Sequence, residues 1–165
     1  MINPLLKVPA IIDDNITLYE SNTINRYLCN SLKIEDRWYP KDPVKRAYVD
    51  LYFDWHSSNS SNLFKFTYAK FGWLQNISLE DAKNQSDSTF MNFESLFLKN
   101  HKFVAGNEVT IADLALMWHL KGIISLGYNL SQRVEEYYNS VLETEPALNE
   151  YLEEYIEDRK KIFGK

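Results

Sequence analysis

The chain has 165 residues, 23 acidic against 18 basic side chains for a net charge of -5, and hydrophobic and aromatic shares of 45% and 15%. That length fits one domain or one and a fraction, the hydrophobic share excludes a disordered chain, and the aromatic share means that large rings carry much of the packing. No basic block stands against the acidic excess, which argues against nucleic acid as a partner, and no apolar run approaches the roughly 20 residues of a membrane span.

The first residues show no targeting segment. Short β-branched runs at Ala10-Ile11-Ile12 and Ile16-Thr17-Leu18-Tyr19, joined by Asp13-Asp14-Asn15, predict an antiparallel hairpin. A helix is expected from Ser21 to about Leu32, because Ile24, Tyr27, Leu28 and Leu32 share one face and Ser21 or Asn22 can cap its first turn. Cys29 on that helix reads as buried and inert. As the one cysteine, it excludes an internal disulfide and suits the reducing cytoplasm. Two strands and one helix are marginal alone, so something else must cover this partial unit.

Residues 34–42 contain Arg37-Trp38-Tyr39-Pro40 and read as a linker. From Pro43 the pattern turns helical. Val44, Ala47, Tyr48, Leu51, Tyr52 and Trp55 follow helical spacing, with Asp42 as N-cap and Pro43 at the first helical position. The run from Ser57 to Asn62 fits either a flexible loop or a polar helical segment lining a cleft. Further helices are expected over about 78–98, 111–126, 131–142 and 147–162, so the second half is all-α. Val109-Thr110-Ile111-Ala112-Asp113-Leu114 is a capping box with a hydrophobic staple, and it opens a helix apolar almost all round, the expected central helix. Asp113 is therefore assigned a structural role. His56, His101 and His119 are too far apart for a metal-binding spacing and receive no chemistry.

Taken by themselves, Pro9 is a turn proline, Glu20 a solvated acid and Ser21 an N-cap. In combination the motifs say more. Asn3-Pro4-Leu5-Leu6-Lys7-Val8-Pro9-Ala10, Leu18-Tyr19-Glu20-Ser21 with Ile24 and Tyr27-Leu28 behind it, and Trp38-Tyr39-Pro40 stand in one order. Arg46, Val49-Asp50, Tyr52 and Trp55-His56 follow, then Phe103-Val104-Ala105-Gly106 and Thr110-Ile111-Ala112-Asp113. This series resembles the cytosolic glutathione S-transferase family, and within it the theta class.

The resemblance implies a mainly α fold: a partial thioredoxin-like α/β unit over residues 1–33, a linker over 34–42, and an all-helical C-terminal domain over 43–165. It also implies a glutathione cradle. A cis bond before Pro9 would turn the Val8 main chain outward to pair with the cysteinyl part of the tripeptide, Ser21 would hold the γ-glutamyl carboxylate at a helix start, and Glu20 would hold the ammonium. Glutathione is then a co-substrate, conjugated by the complete parent protein to small electrophiles, with no other cofactor and no metal. The remaining partners implied are a homodimer and no membrane.

In the family a βαβ unit of about 30 or more residues stands ahead of this match, and in the theta class it carries the serine that stabilises the glutathione thiolate. No residue here matches that serine, so no catalytic residue is assigned. The theta-class lid helix is expected to be missing as well, which would leave the second-substrate site open. Its walls are expected from Phe64 to Trp73 and from Trp118. The alternative reading is a non-catalytic interaction or scaffold module, such as the transferase-like domains attached to translation factors and synthetases.

Overall fold

The computed structural model describes residues 2–164. Strands β1 (Ala10–Asp13) and β2 (Ile16–Tyr19) form the hairpin, with Ala10 opposite Tyr19 and Asp13 opposite Ile16. The reversal is a two-residue turn in which Asp14 takes φ 47°, a conformation that Asp and Asn tolerate better than most residues. Helix α1 (Ser21–Ser31) packs back on the hairpin, tied to it where the Tyr27 hydroxyl donates to Asp13 Oδ2 at 2.6 Å. Ile24 and Cys29 are buried, Tyr27 and Leu28 are half-buried, and Leu32 is exposed. Burial raises the Cys29 thiol pKa, in keeping with an inert thiol.

Residues 34–42 form turns and bends without regular structure and bind to both sides of the chain. The Ile111 N–H donates to the Trp38 carbonyl at 3.0 Å, Arg46 Nε donates to the Pro40 carbonyl at 2.6 Å, and Arg37 pairs with Glu145. Helix α2 (Pro43–Leu63) starts as its sequence predicts, with Asp42 accepting from the Val44 and Lys45 N–H groups and Pro43 in the first turn.

The residues from Val44 to Trp55 that follow helical spacing are divided between a buried and an exposed side of α2. Val49, Tyr52, Phe53, His56 and Leu63 face the core, whereas Val44, Ala47, Tyr48 and Leu51 are exposed. This helix is apolar on two sides, and spacing alone could not say which side packs inward. The run from Ser57 to Asn62 continues α2 as a polar helical segment.

Short helix α3 (Lys65–Lys70) follows, then α4 (Leu79–Phe93), capped by Ser78 and ending in a π-helical turn over Glu94–Leu98. Helices α5 (Ile111–Ile124), α6 (Gln132–Thr144) and α7 (Ala147–Phe163) complete the bundle. Helix α5 packs against α2, α3, α6 and α7, the central position its sequence predicts.

Its capping box is complete. Thr110 Oγ1 accepts from the Ala112 N–H, and Asp113 Oδ2 accepts from the Thr110 N–H at 2.8 Å. Asp113 Oδ1 also accepts from the Val104 N–H at 2.9 Å and the Tyr137 hydroxyl at 3.0 Å, which makes this fully buried carboxylate the tie between α5, α6 and the loop before them. The loop closes on itself through a Phe103 N–H to Gly106 carbonyl bond of 2.8 Å, and Gly106 takes φ 139°, a conformation that a side chain would disfavour. Among the described residues, no helix is long and apolar enough to cross a membrane.

Candidate functional site

The chain turns back toward α1 at two points that face one cleft. At the first, the Val8–Pro9 peptide bond is cis. The Val8 side chain is 93% exposed, and its main-chain N–H and C=O make no hydrogen bond among the described residues. Asn3 shapes the approach, accepting from the Leu5 N–H at 2.9 Å and donating to the Lys7 carbonyl at 2.7 Å.

At the second point, β2 gives way to α1. Glu20 occupies the N-cap with φ 73° and ψ 110°, and its side chain caps nothing. Ser21 is the first helical residue, exposed, with a hydroxyl that has no partner among the described residues. Neither Ser21 nor Asn22 caps the helix, contrary to the sequence expectation. The left-handed backbone at Glu20 shifts the cap one residue earlier, and the Asn22 side chain turns inward to α2. The first N–H groups of α1 are therefore open, and a helix start with free N–H groups attracts a carboxylate.

Val8, Pro9, Glu20 and Ser21, the four positions singled out in the sequence, line one cleft of about 730 Å³. Its opposite wall is α2 and the start of α3: the Ser57, Ser60 and Ser61 row, then Phe64 and Tyr68, whose rings stack at 5.5 Å and 12°. The cleft-lining reading of the serine-rich run thus holds. Arg26, which also lines this cleft, pairs with Asp50 of α2 at 2.9 Å, and Tyr39 donates to the same carboxylate at 3.1 Å, which fixes α1 against α2. Of the other expected aromatic walls, Trp73 is exposed beyond Tyr68, 5.8 Å from it, and Trp118 lines a second cleft of about 330 Å³ between α1 and α5.

A pair of histidines that no local pattern joins lies under the cleft. His56 of α2 and His119 of α5 meet with their Nε2 atoms 2.8 Å apart, and Asn22 Nδ2 lies 3.5 Å from His56 Nδ1. These three side chains, each more than 90% buried, line both clefts. Burial lowers the pKa of His56 to about 4; burial and then His56 lower that of His119 to about 3, so both rings are neutral at pH 7. The two histidines are 63 residues apart and Asn22 is 34 from His56, beyond any local pattern.

A family model for the glutathione S-transferase C-terminal domain matches residues 54–155. Glutathione S-transferase theta-2 of Rattus norvegicus is 34% identical over 136 residues, a match covering 78% of this chain and 56% of that protein. The chain therefore spans about half the length of the first curated relatives it matches. Among solved structures, human glutathione-S-transferase T1-1 in its apo form superposes with a TM-score of 0.83 at 28% identity, over 94% of this chain and 70% of that one. Human glutathione transferase theta-2, solved in complex with glutathione and an unknown ligand, gives a TM-score of 0.75 at 28% identity, over 95% and 72% of the two chains.

Proposed function

We propose that this chain, which belongs to the glutathione S-transferase family, holds glutathione in the cleft between its hairpin and α2. In the complete parent protein that thiol would be conjugated to small electrophiles, as in the theta class. The observation that carries the reading is the pairing of two unsatisfied main-chain features across one cleft. Among the described residues, the Val8 N–H and C=O and the Ser21 hydroxyl have no partner, and both Val8 and the open α1 start line that cleft.

A tripeptide laid between them would pair its cysteinyl main chain with Val8 as an added strand does. Its γ-glutamyl carboxylate would sit on the α1 N–H groups and Ser21, and its ammonium on Glu20. We assign no catalytic residue within this chain and no cofactor beyond glutathione as co-substrate. We take residues 1–33 as the glutathione-binding unit, 34–42 as the linker and 43–165 as the helical domain, and we assign the protein to the cytoplasm.

Calorimetric titration of the chain with glutathione tests the reading. Saturable binding that weakens about tenfold in Ser21→Ala supports it, and no binding ends it. We further propose a homodimer through the exposed Val44, Ala47, Tyr48 and Leu51 stripe of α2, since an apolar stripe of this kind marks an interaction surface. Sedimentation should show a dimer that Leu51→Glu converts to monomer, and a wild-type monomer at high concentration would refute it.

A further inference from the structure

Asn22, His56 and His119 take no part in the cradle as proposed, yet they form its floor. The direction of their hydrogen bonds can be worked out from one end. Asn22 Nδ2 lies 3.4 Å from the Phe53 carbonyl oxygen, which can only accept, so the amide presents its NH₂ to this cluster, and its Oδ1 is left buried without a partner among the described residues. Ser57 Oγ, at 3.3 Å, is compatible with that orientation. An amide nitrogen cannot accept, so His56 Nδ1 facing it must be the bare, accepting nitrogen.

A neutral imidazole carries one N–H, which places the His56 proton on Nε2. That N–H donates across 2.8 Å to His119 Nε2, which must in turn be bare. The proton of His119 therefore sits on Nδ1. That atom is buried and has no hydrogen-bond partner among the described residues. Buried N–H groups are nearly always paired, so a relay ending in an unpaired one calls for an explanation. The half-buried Phe64 ring lies 4.0 Å from the imidazole, and both line the glutathione cleft.

We infer that His119 is a specificity-determining residue: its Nδ1–H is the donor for an acceptor oxygen on the group attached to the glutathione sulfur. The aromatic body of that group takes the place of the Phe64 ring against the imidazole. Asn22 and His56 are positioning residues that hold the donor in the required tautomer. This rests on the glutathione reading of the cleft. It predicts a preference for ligands with a carbonyl-type oxygen over isosteres that lack one.

The test compares S-phenacylglutathione with S-(2-phenylethyl)glutathione, which differ by one carbonyl oxygen, alongside ¹⁵N spectra of the imidazole nitrogens. The phenacyl conjugate should bind about fivefold more tightly, the scale of one net hydrogen bond. The spectra should show His119 protonated at Nδ1 and His56 at Nε2. His119→Phe removes the donor and should bring the ratio of affinities to about one. Asn22→Asp supplies an acceptor to His56 Nδ1, reverses the relay, leaves His119 Nδ1 bare, and should also abolish the preference while His119 remains.

Using the ratio of the two conjugates cancels any general loss of glutathione affinity in a variant. Equal affinity of the two conjugates for the wild type, or a His119 proton on Nε2, overturns the inference while leaving glutathione binding intact. Failure of glutathione and both conjugates to bind removes the cradle reading and this inference with it.

Discussion

Two helix starts in this protein have opposite designs. At α5, Thr110 and Asp113 satisfy one another and two distant groups besides, in a site with no exposure, so every donor there is spent on the fold. At α1, the N-cap residue caps nothing, its backbone is in a left-handed conformation, and the first hydroxyl is exposed without a partner. The first arrangement contributes stability and can bind nothing. The second gives up stability and leaves N–H groups free for a ligand. The difference separates a closed helix start from an open one, and the proposed glutathione site uses the open one.

The largest expected effect falls on the closed start. Asp113→Ala strands the Val104 and Thr110 N–H groups and the Tyr137 hydroxyl in the core. Such groups cost about 1–3 kcal/mol each, so with partial relaxation urea unfolding should show a loss of about 3–5 kcal/mol. Thr110→Ala should cost about 1 kcal/mol. If Asp113→Ala were as mild as that, the contrast between the two starts would collapse.

Next in size is the response to acid of the histidine pair that lies between the two starts. The His56 pKa falls from an ordinary 6.5 to about 4 in the folded protein. Its contribution to stability is therefore complete above about pH 6.5 and is lost as pH falls through about 4, a change of about 3 kcal/mol at 1.36 kcal/mol per unit. His119 acts in the same direction. Asp113 acts in the opposite one: burial raises its pKa, so its contribution is present below about 3.8 and is lost as pH rises through the raised value. Unfolding followed from pH 7 to pH 4 should show a steep loss that flattens in a His56→Leu, His119→Phe double variant. An unchanged slope in that variant would mean that the pair is not buried neutral.

Smaller again is the effect of the open start. Ser21→Ala should weaken glutathione binding about tenfold, roughly 1.4 kcal/mol, while shifting unfolding by less than about 0.5 kcal/mol. A loss of stability comparable to the loss of affinity would make Ser21 a structural cap after all, and would remove the contrast from the other side.

How much of this could be read from the sequence depended on the reach of each interaction. The hairpin, the Asp42 cap with Pro43, and the Thr110–Asp113 box are all local, decided within four residues, and each appears where the sequence indicates. The face of α2 is not local. Val44, Ala47, Tyr48 and Leu51 satisfy helical spacing as well as Val49, Tyr52, Phe53 and His56 do, and only the position of α5 and α4 decides which set is buried. Asn22 was misread for a similar reason. Asn is a good cap by type, but a partner 31 residues away, the Phe53 carbonyl, takes its side chain instead. Val8, Pro9, Glu20 and Ser21 were singled out through a pattern of motifs in order and line one cleft, whereas the histidine relay beneath them joins residues that share no motif.

The smallest expected effect bears most directly on the open start. A non-glycine residue at φ 73° carries strain of about 1–3 kcal/mol, and the Glu20 side chain makes no hydrogen bond among the described residues in return. Glycine adopts that backbone freely but loses more chain entropy on folding, which offsets part of the gain. Glu20→Gly should therefore raise stability by about 0.5–1 kcal/mol in urea unfolding and at the same time weaken glutathione binding, because the carboxylate proposed to hold the ammonium is gone. Glu20→Gln separates the two effects: it keeps the strain and removes the charge, so binding should fall with stability unchanged. If Glu20→Gly destabilised the fold, the left-handed turn would be held by interactions of the side chain itself, and the α1 start would be a satisfied structure like that of α5.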